Sequence, residues 1–403
     1  MLVNTANSSR PLRGNELAQL PCIKNAWLAV EDGLISGFGE MAGLPTTPGK
    51  EHNVIDASGC LVLPCWCDSH THTVFAATRE EEFIDKIKGL GYAEIAAKGG
   101  GILNSARKLN ETPEDDLFKA ASKRLQELSR MGTGAIEIKS GYGLSLEGEL
   151  KMLRVIKRLK GTSDLLIKAT FLAAHAYPAE FRDNHQGYID LIIEKMLPVV
   201  AAEKLADYID VFCEKGFFSP EETEKICRAG MAHGLKPKLH VNQLNSIGGI
   251  GTAIKLSALS VDHLETMTTA DIDQLASSST IGTLLPSAAF FLRMPYQPAR
   301  ALIDAGCSIA LASDYNPGSS PSGNMNFVLS LGCIQMRMLP EEAINAATIN
   351  GAFAMEVAAE AGTIAIGKRA NLILTKPVPS LAYLPYSFAS SSIDRVMIKG
   401  KWV

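Results

Sequence analysis

The stretch Cys60-Leu61-Val62-Leu63-Pro64-Cys65-Trp66-Cys67-Asp68-Ser69-His70-Thr71-His72 carries an apolar run into two histidines spaced by one residue. On a strand, residues i and i+2 point the same way, so imidazoles at 70 and 72 converge on one point. Alone, such an H-x-H could be no more than a polar turn after a strand. Three later residues argue for a site. His240 closes Pro237-Lys238-Leu239, His263 follows Leu259-Ser260-Val261-Asp262, and Asp314 follows Ile309-Ala310-Leu311-Ala312-Ser313. Each stands at the C-terminal end of a strand-like run, where barrel enzymes keep their chemistry.

Around these ends the chain alternates. Further strand-like runs are Gly134-Ala135-Ile136-Glu137-Ile138, Ile167-Lys168-Ala169-Thr170-Phe171-Leu172, Tyr208-Ile209-Asp210-Val211-Phe212 and Ser308-Ile309-Ala310-Leu311-Ala312. Helical stretches over 113–131 and 146–160 separate some of them. Ser219-Pro220-Glu221-Glu222 supplies an N-cap, a proline at the first helical position and acids in the first turn. Strand, loop and helix repeated about eight times over roughly 300 residues predicts an α/β fold, a (β/α)8 TIM-like barrel. A doubly wound sheet would share the alternation.

Both ends of the chain have a different texture. Ala26-Trp27-Leu28-Ala29-Val30, the turn Glu31-Asp32-Gly33 and Leu34-Ile35-Ser36-Gly37-Phe38-Gly39 read as a hairpin. Asn371-Leu372-Ile373-Leu374-Thr375 and Arg395-Val396-Met397-Ile398 are short strands, with a turn at Lys399-Gly400-Lys401. The expected organisation is a small β-sandwich domain formed by both termini, 1–63 plus 363–403, around a barrel over 64–362.

The chain has 403 residues, 46% of them hydrophobic, enough for a large core and an appended small domain. A net charge of −4 leaves no basic footprint for nucleic acid. The expected partner is a small molecule. The polar segment Met1 to Gly14 lacks the apolar core of a signal peptide, and no run of about 18 uncharged apolar residues predicts a membrane span. The eight cysteines are scattered and form no small-domain disulfide framework. Cys65 and Cys67 form a C-x-C, but no second pair is spaced to complete a four-thiolate site. Reduced core cysteines fit a cytoplasmic protein.

His70, His72, His240 and Asp314 together make a set of three nitrogens and one oxygen with room for a water, which suits one borderline cation. The order H-x-H, H, H, D on successive strands resembles the amidohydrolase superfamily. Many of its two-metal members place a carboxylated lysine on the fourth strand. Here that strand reads Thr170-Phe171-Leu172-Ala173-Ala174-His175. One metal is therefore the better reading, with His175 directed to substrate.

The resemblance narrows further. His70-Thr71-His72-Thr73-Val74-Phe75 followed by Arg79 and Glu82-Phe83 is similar to a run in the imidazolonepropionases. So, in order, are Gly99-Gly100-Gly101-Ile102, Lys139-Ser140-Gly141-Tyr142-Gly143, Glu149-Leu150-Lys151-Met152-Leu153-Arg154 and Thr170-Phe171-Leu172 with Ala174-His175-Ala176. Asp210-Val211-Phe212-Cys213-Glu214, Asp262-His263-Leu264-Glu265 and Asp314-Tyr315-Asn316-Pro317-Gly318-Ser319-Ser320-Pro321 complete the set. Each is weak alone; the ordered set is specific. Residue by residue, the resemblance implies metal ligands His70, His72, His240 and Asp314, and substrate contacts from Arg79, Tyr142, His175, Gln243, Asn316, Gly318 and Ser319. It implies hydrolysis of the cyclic amide of 4-imidazolone-5-propanoate to N-formimidoyl-L-glutamate, with one divalent or trivalent ion, Zn or Fe, and is compatible with a homodimer. The substrate's carboxylate tail matches an arginine fork. Arg79 could otherwise be an ordinary solvated charge beside Glu80 and Glu81.

Two positions depart from the pattern. Related deaminases, and some imidazolonepropionases, have glutamate three residues after the fifth-strand histidine; here it is Gln243. An amide exchanges no proton at neutral pH, so Gln243 can only orient, and general-base duty falls on His263 or Asp314. Cys65 replaces the superfamily's usual glycine after the proline and is expected to affect packing at the barrel entrance. The rival functions are a single-metal purine or pyrimidine deaminase and a non-catalytic assembly protein on the same scaffold. Gln243 and the Arg79 segment argue against the first, the complete ligand set against the second. His52, His185 and His233 lie outside strand ends and read as surface or loop residues.

Overall fold

A computed structural model describes residues 1–45, 53–90, 94, 100–388 and 390–403. Eight parallel strands form one sheet in chain order: β1 Trp66–Thr71, β2 Thr133–Lys139, β3 Leu166–Ala174, β4 Tyr208–Cys213, β5 Lys236–Val241, β6 Ser260–His263, β7 Ile281–Leu284 and β8 Ile309–Leu311. The segment after β8 closes the barrel. Asp314 N donates to the His70 carbonyl at 3.0 Å, His72 N donates to the Tyr315 carbonyl at 2.9 Å, and Thr71 pairs in parallel with Tyr315. The doubly wound alternative is thereby set aside.

Burial explains the strand composition. Every residue of β2 is buried, as expected for a parallel sheet covered on both faces, and the outward side chains pack under helices. The helix Pro220–Ala232 begins as its sequence requires. Ser219 Oγ accepts from Glu222 N at 3.2 Å, and a Glu222 carboxylate oxygen accepts from Ser219 N at 2.8 Å.

The termini build a second sheet in the order Lys401–Trp402, Ile393–Ile398, Leu372–Thr375, Val62–Pro64, Leu2–Val3, Cys22–Ile23. The hairpin Ala26–Glu31 and Leu34–Glu40 packs on it through Leu28, Val30, Ile35 and Phe38, against Leu2 and Leu372. Its turn holds Asp32 at φ 50° and Gly33 at φ 80°. A Cβ on Gly33 would come within 2.8 Å of the Lys399 carbonyl oxygen, so the two terminal turns meet only because this position is bare.

Several expectations change. The run Cys60 to Leu63 does not lead one strand into the histidines: Val62–Pro64 belongs to the terminal sheet, and β1 begins at Trp66. His72 therefore lies one residue past the end of β1. Ile281–Leu284, absent from the runs named above, is the seventh barrel strand, and the strand that runs into His175 is the third, β3, not the fourth, which is Tyr208–Cys213. Cys65 sits at the N-terminal end of β1, where a Cβ on Gly134 would meet its Cβ at 2.5 Å and its amide donates to the Asn371 carbonyl at 2.9 Å. That is the seam between the two sheets, not the entrance to the pocket. The segment Gly14–Ala18 leaves the terminal sheet and packs against the barrel, its Gly14 amide donating to the Cys307 carbonyl at 3.0 Å.

Candidate metal centre and substrate pocket

At the C-terminal end of the barrel, donor atoms of His70, His72 and His240 lie within 4.8 Å of one another. Asp314 Oδ1 is 3.4 Å from His70 Nε2 and 3.7 Å from His72 Nε2. Tetrahedral ligands about 2.0–2.1 Å from a common centre stand about 3.4 Å apart, so these spacings fit a small cation. The Nε2 atoms of His70 and His240 are buried with no hydrogen-bond partner. An imidazole nitrogen left so is costly unless something fills its lone pair.

The opposite side of each ring is held. His70 Nδ1 is 2.7 Å from an Asp262 oxygen, His240 Nδ1 is 2.9 Å from an Asp210 oxygen, and His72 Nδ1 is 3.3 Å from the Ser140 carbonyl. Those acceptors put the ring proton on Nδ1 and leave Nε2 free to ligate. Burial pushes all three imidazoles well below the ordinary histidine range, and the Lys139 charge adds to the shift. They stay neutral, as ligation requires.

His263 is treated differently. Burial opposes its charge, but Glu265, whose Oε1 is 3.4 Å from Nδ1, outweighs it, helped by Asp314 and Asp262, so its pKa is raised. Its backbone is at φ 90° and Leu264 follows at φ 70°, two successive non-glycine residues in a region that costs energy. The strand end is bent to place this ring 5.3 Å from His240 and 5.7 Å from His70, centroid to centroid. Burial pushes Asp314 up to about 6, although the nearby His263 charge pulls the other way. Asp314 too has positive φ, 53°, and Ser319 Oγ donates to its Oδ2 at 3.1 Å.

The pocket in front of these groups is lined by His72, Tyr142, His175, His240, Gln243, His263, Asp314, Asn316 and Ser319. His175 stacks on His72 with centroids 5.3 Å apart, and burial pushes its pKa down to about 4. Tyr142, pushed up by burial, keeps its proton and donates it to Asn316 Oδ1 at 3.3 Å. The same Asn316 oxygen accepts from the amides of Gly318 and Ser319 at 2.7 and 2.8 Å, so the post-strand turn is built around one side chain.

Arg79 and Gly318 stand outside that lining. Arg79 is no solvated charge: its side chain is 14% exposed and bonds Glu82, not Glu80 or Glu81, through Nε at 2.9 Å and Nη2 at 2.5 Å. A Cβ on Gly318 would meet Arg79 Nη1 at 2.3 Å, so the guanidinium approaches that turn closely only because the position is bare. Glu82 also accepts from Gly101 N at 2.9 Å, tying down the start of the helix Gly101–Glu111. Gly99 and His52 lie outside the described residues. His185 and His233 are exposed and do not line the pocket. Cys65 and Cys67 are buried, their thiols pushed up by burial, Cys67 to about 12, and neither belongs to the cluster of candidate ligands, His70, His72 and His240.

Two carboxylates gained no role from the sequence. Glu149 accepts from the amides of Gly141 at 3.0 Å, Gly143 at 2.7 Å and Leu144 at 2.9 Å, and so clamps the loop that carries Tyr142. Glu214 accepts from the amides of Leu244 at 2.9 Å and Asn245 at 3.2 Å, fixing the residues that follow Gln243. Both stood inside quoted motifs, but nothing in a motif says that a carboxylate faces three amides. Glu149→Gln would set an NH2 against one or more of those amides. It should cost about 1–3 kcal/mol of stability and raise KM, with metal content unchanged; chemical denaturation and steady-state kinetics on one preparation check this.

Barrel, converging strand-end histidines and strand-end aspartate define a class. The family model described as the amidohydrolase family matches residues 61–403, and the chain belongs to that family. The imidazolonepropionase of Flavobacterium johnsoniae is 59% identical over 388 residues, covering 96% of this chain and 94% of the relative. That of Flavobacterium psychrophilum is 56% identical over 388 residues, with the same coverage. Within the amidohydrolases, the chain belongs to the imidazolonepropionases, hydrolases of carbon–nitrogen bonds. The Escherichia coli guanine deaminase has the same fold, with a TM-score of 0.75 at 13% identity, over 100% of this chain and 97% of that one. No helix among the described residues is long and apolar enough to cross a membrane.

Proposed function

We propose that this chain hydrolyses 4-imidazolone-5-propanoate to N-formimidoyl-L-glutamate, with one Zn or Fe ion held by His70, His72, His240 and Asp314. The observation that carries the reading is the convergence of unpartnered Nε2 atoms and a carboxylate oxygen beneath a pocket walled by Tyr142, His175, Gln243 and Asn316. A bound ion would lower the pKa of a water and polarise the substrate carbonyl.

The chain's own groups do the rest. His263, with Glu265 behind it, takes the proton as water oxygen bonds to the ring carbonyl carbon, and the carbonyl electrons move to oxygen. Collapse breaks the ring C–N bond, and the proton returns from His263 to the departing nitrogen. Asp314 is the alternative base. Gln243 orients the substrate or the water. Tyr142, His175, Asn316 and Ser319 position the ring, and Arg79 faces the propanoate carboxylate across the Gly318 turn. Glu82 occupies Nε and Nη2 of Arg79, which leaves Nη1 for substrate.

Residues 1–63 plus 363–403 act as a small β domain beside the barrel of 64–362, a division supported by the shared terminal sheet. Eight free cysteines fit the reducing cytoplasm.

Arg79→Lys keeps the charge but cannot hold Glu82 through two nitrogens and still present a third to a substrate carboxylate. It should raise KM roughly tenfold or more, since charge-assisted bonds are worth about 1.5–3 kcal/mol, with metal content unchanged. Loss of metal instead would make Arg79 a structural residue. The activity is tested by following the ultraviolet absorbance of imidazolonepropionate, with guanine and cytosine as rival substrates. Ammonia release from either base, with imidazolonepropionate untouched, would favour the deaminase reading.

A further inference from the structure

Beneath the histidines, inside the barrel, lies a fully buried cluster of three acids and two lysines: Glu137 and Lys139 on β2, Asp210 on β4, Lys238 on β5 and Asp262 on β6. Lys139 Nζ is 2.7 Å from Glu137, 2.8 Å from Asp210 Oδ2 and 3.2 Å from Asp262 Oδ2. The last two oxygens are the atoms that hold His240 Nδ1 and His70 Nδ1. One ammonium therefore stands one hydrogen bond behind two ligand candidates on different strands. Lys238 bonds the other Glu137 oxygen and the carbonyls of Ser69 and Ala354, at 3.3 and 3.2 Å, but neither aspartate at hydrogen-bond distance.

We propose that Lys139 is a positioning residue for the metal centre, the shared electrostatic anchor that holds Asp210 and Asp262 together and through them fixes the rings of His240 and His70. Both carboxylates lie within 3.2 Å of one Nζ. Without the cation they share, two buried anions so placed repel, and the histidines that lean on them lose their alignment. Burial alone would strip the proton from Lys139, but the three carboxylates outweigh it and keep the amine charged. Counted as three carboxylates and two ammonium groups, the cluster has a formal net charge of −1.

The inference rests on the metal-centre reading, and its test separates the two. The full-length protein is loaded with Co²⁺, and affinity is measured by chelator competition alongside the visible spectrum of the bound ion. Lys139→Met should weaken binding about 10–100-fold, the usual cost of losing a group that orients a metal ligand, and alter the ligand-field bands. Because that variant leaves Asp210 and Asp262 without their shared cation and shifts the cluster's charge, the pair Lys139→Met with Glu137→Gln is measured too; it keeps the net charge of −1, at the cost of weakening the Glu137 contact to Lys238. The proposal expects the weaker affinity and altered bands in this pair as well. Native affinity and an unchanged spectrum in the folded pair would overturn it. Failure of the native protein itself to bind Co²⁺ or Zn²⁺ would overturn the metal-centre reading instead, and the anchor with it.

Discussion

The His240→Ala variant is expected to lose most of its bound metal and nearly all turnover. His240 joins two supports, an Nε2 aimed at the centre and an Nδ1 and backbone amide bonded to Asp210 at 2.9 and 3.1 Å. Removing the ring takes one donor from the proposed four and strands part of a buried carboxylate. The loss in affinity should exceed the about 10–100-fold that a supporting residue costs. Elemental analysis of protein purified without chelator reads it directly. Full metal content in the variant would remove His240 from the ligand set.

The second large effect concerns the proton. His263→Asn should lower kcat on the order of 10²–10⁴-fold, the range for a missing acid–base group, while the metal stays. Gln243→Glu should retain measurable turnover, because an orienting amide is replaced by a group of the same shape. The comparison belongs at equal metal occupancy and across pH. Near-normal turnover in His263→Asn beside a dead Gln243→Glu would move the base to Asp314. The geometry favours His263, whose Glu265 partner supports the charge it must carry for an instant.

What the sequence made legible was local. His70, His240, His263 and Asp314 each follow an apolar run, and a run that ends in a ligand-type residue can be read without knowing what it faces. The hairpin at Asp32-Gly33 and the helix starting at Pro220 declared themselves through turn and cap residues. The non-local parts could not be read this way. Glu137, Lys139 and Lys238 interrupt strand patterns, and no periodicity says that two strands far apart in the sequence bring them to one point inside the barrel. Val62–Pro64 and Trp66–Thr71 run on with one residue between them; only pairing with Leu372–Thr375 separates them. Ile281–Leu284 is four residues with a glycine, too short to stand out. Arg79 was assigned its carboxylate from type and family, whereas its bonds to Glu82 depend on the helix turn that follows it.

The account stands or falls on ring opening by water. Turnover of 4-imidazolone-5-propanoate in H2¹⁸O, with product analysed by mass spectrometry, tests that most directly. The predicted product is N-formimidoyl-L-glutamate carrying one ¹⁸O in the carboxylate formed from the ring carbonyl, with no ammonia released. Unchanged substrate at full metal occupancy, or ammonia in step with turnover, would contradict it.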